Sequence, residues 1–244
     1  TIQSSRGCPY SCGYYCTYPT SQGKKVRYRD PNLLIEDIRF MQTNFSMKSL
    51  LFRDPIFGLD KNYPIKLSEK LLENNIKIDW GIETRADLLN KDNLTIMKNA
   101  GLSSINIGIE TNNIQIAKMN KRKLTEVSHQ KEIIEFCNNL GIKIIGFFII
   151  GMEGDTVSSI REMVRFALEQ NTFMARFSVS TPYPGTEYYK SLNQKELLSH
   201  KNFEDYNQFK LVVNQNNLSS KQIEMLILDA YKRFYFRPRK LYEL

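Results

Sequence analysis

Three of the chain's four cysteines, Cys8, Cys12 and Cys16, fall within nine residues, in a loop that follows a short strand-like start. Three thiolates this close together can ligate three corners of a cubane iron–sulfur cluster, which leaves the fourth iron without a protein ligand. An iron with an open position can bind a small molecule and take part in chemistry. The spacing therefore predicts a catalytic [4Fe–4S] centre with these cysteines as its metal ligands.

Zinc binding and a purely structural role are two alternatives for the cysteines that stay open at this point. Zinc usually takes four Cys or His ligands, and the remaining donors, Cys137, His129 and His200, have no local partner at finger-like spacing. A structural disulfide needs an oxidising compartment and would leave one of three clustered cysteines over. Cys137 lies among apolar residues of a predicted helix, so we expect it to be an ordinary core residue.

Length and composition predict a soluble enzyme domain of the cytoplasm. A chain of 244 residues can bury one sizeable core, and no apolar run approaches the roughly 18 residues of a transmembrane helix. The net charge of +8 comes from dispersed Lys and Arg residues. Because these residues form no basic stripe with interleaved aromatics, the charge argues for a solvated surface and against nucleic-acid binding.

Strand-like and helix-like segments alternate along the chain, which predicts parallel βα units. The six predicted strands are 2–5, 49–53, 78–83, 104–109, 143–150 and 173–181. The first predicted helix begins after the N-cap Asp30. Further helices are predicted at 62–75, 91–100 and 125–140, and the last one follows Thr156 and runs to about residue 170. This order favours an α/β fold, an open partial (β/α)6 TIM-type barrel, with a core at 1–190 and a C-terminal helical extension at 191–244 that packs on the barrel.

In such a barrel, chemistry collects at the C-terminal ends of the strands, where the βα loops meet. The cysteine loop follows the first predicted strand. We therefore expect the metal centre to share the mouth of the barrel with the ends of the other strands.

The residues from Ser5 to Cys12 resemble the opening of radical S-adenosylmethionine (SAM) enzymes, especially those associated with a cobalamin-binding domain. Family members usually have three residues and then two between their cysteines, whereas three residues separate Cys12 from Cys16 here. Tyr15 falls where the family has an aromatic residue. Five later segments also resemble family motifs, and they occur in the family's order.

The resemblance implies which residues contact SAM. Glu83 and Arg122 would hold its amino-acid portion, Glu110 its ribose, and the segment around Gly151 would lie beside its adenine. The full implied set is Asp54, Phe57, Glu83, Arg85, Glu110, Arg122 and Gly151. Five of these residues have simpler interpretations. Asp54 can cap a turn, Arg85 can pair with a nearby carboxylate, and Gly151 can serve a turn alone. Glu83 and Glu110 can be surface carboxylates where strands end.

The resemblance also implies a function and its cofactors. A [4Fe–4S] cluster would cleave SAM reductively to a 5′-deoxyadenosyl radical that abstracts hydrogen from a small-molecule or lipid substrate, with a reductant such as flavodoxin or ferredoxin. The chain would be the catalytic half of a cobalamin-dependent methyltransferase, or of a ring- or lipid-modifying enzyme, with cobalamin in an upstream domain. The alternative is a non-catalytic iron–sulfur or zinc-binding barrel module associated with nucleic acid.

Overall fold

The computed structural model describes residues 1–199 and 202–238. Its strands are β1 (Ser5–Arg6), β2 (Arg27–Tyr28), β3 (Ser49–Phe52), β4 (Asp79–Thr84), β5 (Leu102–Glu110), β6 (Lys143–Ile150) and β7 (Met174–Val179). Its helices are α1 (Tyr18–Gln22), α2 (Pro31–Phe45), α3 (Tyr63–Glu73), α4 (Lys91–Asn99), α5 (Ile114–Met119), α6 (Val127–Asn139), α7 (Val157–Glu169), α8 (Glu187–Gln194) and α9 (Ser220–Tyr235).

Five strands form the main sheet, in the order β3-β4-β5-β6-β7. The pairing of β3 with β4 and of β4 with β5 is parallel, and Glu83 and Asn106 are register partners on the latter pair. At least one helix lies between consecutive strands of this sheet, as parallel pairing requires. The predicted α/β class is therefore confirmed, and the sheet is open, with β3 and β7 at its two ends.

The predicted first strand differs from the structure. Ile2 forms a single parallel bridge with Phe52, in which Arg53 N donates a hydrogen bond to Ile2 O at 2.8 Å. The chain then leaves the main sheet, and β1 pairs with β2 in a separate antiparallel ribbon. A sixth strand of the main sheet is thus reduced to one residue, because the next residues bond to a buried side chain and to β2 instead.

Local sequence signals explain most helix starts. The Asp30 side chain accepts a hydrogen bond from Asn32 N ahead of α2, and Thr156 forms a capping box at the start of α7. Ser219 caps α9 in the same way. The predicted start of α6 at residue 125 is two residues early, because no side chain caps this helix.

The described chain forms two compact units. Unit 1 comprises Thr1–Pro9, Gln22–Gly108 and Thr125–Ile145. Unit 2 comprises Tyr10–Ser21, Ile109–Leu124 and the described residues from Gly146 onward. The predicted boundary at residue 190 does not coincide with this division and stays a prediction. Over the described ranges, no helix is both long and apolar enough to cross a membrane.

In unit 1, an aromatic core supports the ends of β3 and β4. Trp80 is 1% exposed, and its ring centroid lies 5.7 Å from that of Phe52 and 6.1 Å from that of Phe57. Its indole N–H donates to Ala100 O at 2.8 Å. A buried indole with its one donor satisfied is a stable platform, so the strand ends that follow it are fixed in place.

In unit 2, α9 covers the outer edge of β7, which we call the β7 edge. The Tyr231 hydroxyl accepts from Phe177 N at 3.2 Å and donates to Phe177 O at 3.1 Å. The Tyr235 hydroxyl binds Ala175 in the same way, at 3.2 and 2.9 Å. Val179 N donates to a loop carbonyl at 2.7 Å. The C-terminal helix therefore supplies the hydrogen bonds that a neighbouring strand would make.

Candidate active site

The second and third cysteines of the loop lie on one helical turn. Ser11–Tyr14 is a 3₁₀ turn, and the Cys12 carbonyl oxygen accepts from Tyr15 N at 3.1 Å and from Cys16 N at 3.0 Å. The bond from Cys16 N spans four residues, as in an α-helical turn, on which side chains four apart are neighbours. The extra residue between Cys12 and Cys16 is therefore absorbed as helical backbone.

Glu110 ends β5 in a strained backbone conformation. Its φ is +68°, which is costly for a residue with a β-carbon, and Thr111 N donates to Ile109 O across it at 2.9 Å. A hydrogen bond between residues two apart closes a γ-turn, and the form with positive φ is rare and strained. Strain of this kind concentrates at active sites and ligand clamps, so the backbone itself singles out Glu110.

Arg122 brings a positive charge beside Glu110 and the cysteine turn, all within unit 2. Its backbone N donates to Ala117 O at 2.8 Å, and its guanidinium donates to the Cys12 sulfur. Burial opposes the charge of Arg122, but Glu110, Tyr15 and Cys12 outweigh it and raise its pKa. Burial also raises the pKa of Tyr15, and Glu110 adds to this. We call Cys12, Tyr15, Glu110 and Arg122 the Arg122 cluster.

Cys8 belongs to unit 1, where the chain enters the cysteine loop. It is 5% exposed, and its N donates to Gly23 O at 3.0 Å. Gly7 before it has a φ of +95°, and a β-carbon there would lie 2.2 Å from Lys25 O. Only glycine fits this approach, so Gly7 determines the direction in which Cys8 leads into the loop.

The donor set is of the kind that binds an iron–sulfur cluster, because each of three thiolates can bind a different iron of a cubane. Within residues 1–199 and 202–238, no group of three His, Cys, Asp or Glu side chains is arranged to hold a single metal ion. The available donors, Cys8, Cys12 and Cys16, are the thiolates such clusters use, and the Arg122 guanidinium offsets thiolate charge near Cys12.

A row of polar side chains crosses three neighbouring strands of unit 1, because Arg53 directly follows β3, Glu83 lies on β4 and Asn106 lies on β5. Glu83 Oε1 accepts from Arg53 Nη1 at 2.6 Å and from Asn106 Nδ2 at 3.2 Å. The Glu83 side chain is 15% exposed, and its Oε2 has no hydrogen bond to any residue that the structure describes. The carboxylate is therefore held by one oxygen while the other remains available to a ligand.

Asp54 and Phe57, two of the predicted SAM contacts, have structural partners in unit 1. The Asp54 carboxylate is 1% exposed and accepts from Ser4 N at 2.7 Å, from Ser4 Oγ at 2.5 Å and from Ser5 Oγ at 2.8 Å. Burial raises its pKa although these bonds oppose the shift. Phe57 is 1% exposed and belongs to the aromatic core. Asp54 fastens the chain before the cysteine loop to the end of β3, whereas Phe57 packs against Phe52 and Trp80.

Arg85 and Gly151 also have local partners. Arg85 Nε and Nη2 donate to the two Asp87 carboxylate oxygens at 2.8 and 2.9 Å, which is the pairing that the sequence left open. Gly151 has a φ of +77°, and a β-carbon there would lie 3.2 Å from Ile223 Cδ1 on α9. Its conformation and this close approach both favour glycine. Contacts of these two residues with SAM stay predictions.

Cys137 is a core residue, as its sequence context predicts. It lies on α6 with 0% of its surface exposed, and burial raises its pKa to about 12. A thiol in such surroundings is inert as a nucleophile or ligand.

Sequence reasoning missed two residues that shape the candidate site, Arg53 and Asn106. Arg53 lies in a segment that resembles the family but was given no role, and Asn106 lies in no such segment; they reach Glu83 from the end of β3 and from β5. The alternation of isoleucines with other residues along β5 offered a signal for Asn106, because it places this polar residue on the same face of the strand as Glu110.

Comparison with known proteins agrees with this geometry. The family model of the radical SAM superfamily matches residues 2–167, and the chain belongs to that superfamily of enzymes, whose cofactors are a [4Fe–4S] cluster and SAM. The alternative of a non-catalytic module finds no support in this match.

Individual relatives are methyltransferases. An uncharacterized methyltransferase of Pyrococcus horikoshii is 27% identical over 98% of this chain and 52% of its own length. The bacteriochlorophyllide d C-8(2)-methyltransferase of Chlorobaculum tepidum is 30% identical over 100% of this chain and 57% of its own length. The chain thus spans about half the length of these two curated relatives.

A solved structure shares the fold. It is the radical SAM methyltransferase TsrM from Kitasatospora setae, with cobalamin and a [4Fe–4S] cluster bound, and it matches 97% of this chain and 46% of its own chain. The TM-score is 0.73 at 13% sequence identity, which supports the predicted partial-barrel fold.

Proposed function

We propose that this chain is the radical SAM core of a cobalamin-dependent methyltransferase. The observation that carries the proposal is the Arg122 cluster, in which a strained carboxylate, a guanidinium and a cysteine of the loop meet in one unit. Two curated relatives that match along nearly the whole chain are methyltransferases, and two others that match almost as far are cyclases. The solved relative with cobalamin bound supports cobalamin as the further cofactor.

The residues of the chain have separate tasks in this proposal. A reduced [4Fe–4S] cluster, when bound, supplies the electron that cleaves SAM. Cys8, Cys12 and Cys16 hold the cluster. Arg122 offers its guanidinium to the methionine carboxylate, and Glu110 accepts hydrogen bonds from the ribose hydroxyls. Both are charge-assisted contacts of about 1.5–3 kcal/mol each.

Glu83 accepts from the methionine ammonium through Oε2 in this proposal, because Arg53 and Asn106 already occupy Oε1. Asp54, Phe57, Arg85 and Gly151 support the surrounding loops. A small molecule or lipid is the proposed substrate. A reductant such as flavodoxin or ferredoxin and a cobalamin-binding domain are the proposed partners, in the cytoplasm.

The test uses the chain after anaerobic reconstitution with iron and sulfide. With SAM and dithionite alone, we expect slow release of 5′-deoxyadenosine and methionine. Methyl transfer from labelled SAM to a bacteriochlorophyllide acceptor or to added cobalamin should require a cobalamin-binding domain. A chain that takes up no cluster or leaves SAM intact contradicts the radical SAM proposal. Efficient turnover of an acceptor without cobalamin contradicts only its cobalamin part.

A further inference from the structure

The spacing before the third cysteine is one residue longer than the spacing usual in the family. Tyr15 takes the family's aromatic position, whereas Tyr14 turns to other partners. Its hydroxyl donates to Glu153 Oε2 at 2.7 Å, and its ring centroid lies 5.4 Å from that of Tyr188 on α8. Tyr188 is 1% exposed. The side chain of Tyr14 is therefore held both at its ring and at its hydroxyl.

The partners of Tyr14 are themselves fixed within unit 2. Asn120 is 1% exposed, and its Nδ2 donates to Glu153 O at 3.0 Å. Lys121 Nζ lies 5.1 Å from the centroid of the Tyr14 ring, and the Ser11 hydroxyl donates to Lys121 O at 3.1 Å. The loop after β6 and the segment after α5 thus hold the cysteine turn at both ends.

We propose that Tyr14 is a positioning residue for the iron–sulfur cluster. It fastens the three-residue turn between Cys12 and Cys16 so that both thiolates are in place before the cluster binds. A longer turn has more conformations to lose on ligation, and a preformed turn lowers that cost. The inference rests on the proposed function, because it concerns the same cluster.

The test compares Tyr14→Phe and Tyr14→Ala with the wild-type chain after anaerobic reconstitution. The readouts are iron per chain, the rate of iron release to a chelator, and the electron paramagnetic resonance spectrum of the reduced cluster. We expect iron release from Tyr14→Phe to be about tenfold faster, the factor that corresponds to losing one hydrogen bond to a charged acceptor. Tyr14→Ala should lose iron faster still, with an altered spectrum.

Matched variants separate positioning from general damage. Glu153→Ala should behave like Tyr14→Phe, and Glu153→Gln should restore slow release because an amide oxygen still accepts. Tyr189→Ala removes the neighbouring tyrosine of α8 and should release iron like the wild type. The metal-free Tyr14→Phe chain should keep a single cooperative thermal transition, lowered by no more than that of metal-free Glu153→Ala, which loses the same hydrogen bond.

The rates of iron release distinguish a failure of this inference from a failure of the proposed function. If the wild-type chain forms the cluster and both Tyr14 variants hold iron equally well, this inference is wrong and the proposed function stands. Iron loss from Tyr189→Ala at the rate of the Tyr14 variants also overturns it, because the effect is then general to α8. A wild-type chain that forms no cluster refutes the proposed function, and this inference with it.

Discussion

Replacing Glu110 by glycine and, in a second variant, by alanine separates the backbone strain from the charge of this residue. Both changes remove the carboxylate beside Arg122, but only glycine relieves the φ of +68°. A left-handed conformation costs a residue with a β-carbon about 1–2 kcal/mol, and the freedom of glycine in the unfolded chain offsets about 0.4–1 kcal/mol of this. We therefore expect Glu110→Gly to be more stable than Glu110→Ala by about 1 kcal/mol.

Thermal unfolding of the metal-free variants measures the strain, and a difference of about 1 kcal/mol corresponds to roughly 2–4 °C in a chain of this length. SAM binding to the cluster-loaded variants measures the charge, and both should bind at least about tenfold more weakly than the wild type. Glu196 provides the control, because its φ is +55° and it is exposed outside the candidate site. Glu196→Gly should exceed Glu196→Ala in stability, while both bind SAM normally.

Two results would refute this reasoning. If the Glu196 pair differs in stability and the Glu110 pair does not, the γ-turn is not strained. If both Glu110 variants bind SAM like the wild type, the carboxylate has no part in holding the cofactor.

Three further predictions concern ligands, stability and pH. Three variants each replace one predicted cluster ligand, Cys8, Cys12 or Cys16, by alanine. Each variant should lose most of its iron, whereas Cys137→Ala should retain it. Tyr231→Phe and Tyr235→Phe should each lower the free energy of unfolding by about 1–3 kcal/mol in urea titrations, because two buried backbone groups lose their partner. Burial raises the pKa of Asp54, so the folded chain binds this proton more tightly than the unfolded chain, and stability should fall as pH rises from about 4. Asp54→Asn should remove that fall.

Much of the sheet could be predicted because its strands carry long apolar runs. The bounds of β6 agree with the predicted 143–150. Two predicted helix N-termini, after Asp30 and after Thr156, were confirmed, because the side chain of each residue caps its helix. The short helices α1, α5 and α8 were missed, since fewer than about two and a half turns give little periodic signal. The first strand was misjudged because its pairing depends on a buried carboxylate 50 positions away.

For the candidate site, local spacing predicted more than distant contacts could. The cysteine pattern pointed to a cluster without any structural knowledge, and the structure explains how the extra residue is accommodated. The anchoring of Tyr14 could not be predicted, because Glu153 lies 139 positions along the chain. The pairing of Arg53 with Glu83 across 30 positions escaped for the same reason, since one sequence carries no record of which strands become neighbours.

The covering of the β7 edge also affects how this protein behaves at high concentration. An uncovered edge strand is a template on which a strand from another molecule can pair. The tyrosine hydroxyls of α9 occupy the backbone groups that such pairing would use. A truncation that removes α9 should therefore do more than destabilise unit 2, because it exposes the unpaired backbone groups of β7 to strands of other molecules. Chains that end before α9 should self-associate and precipitate, and a chain shortened for crystallisation should end beyond Tyr235.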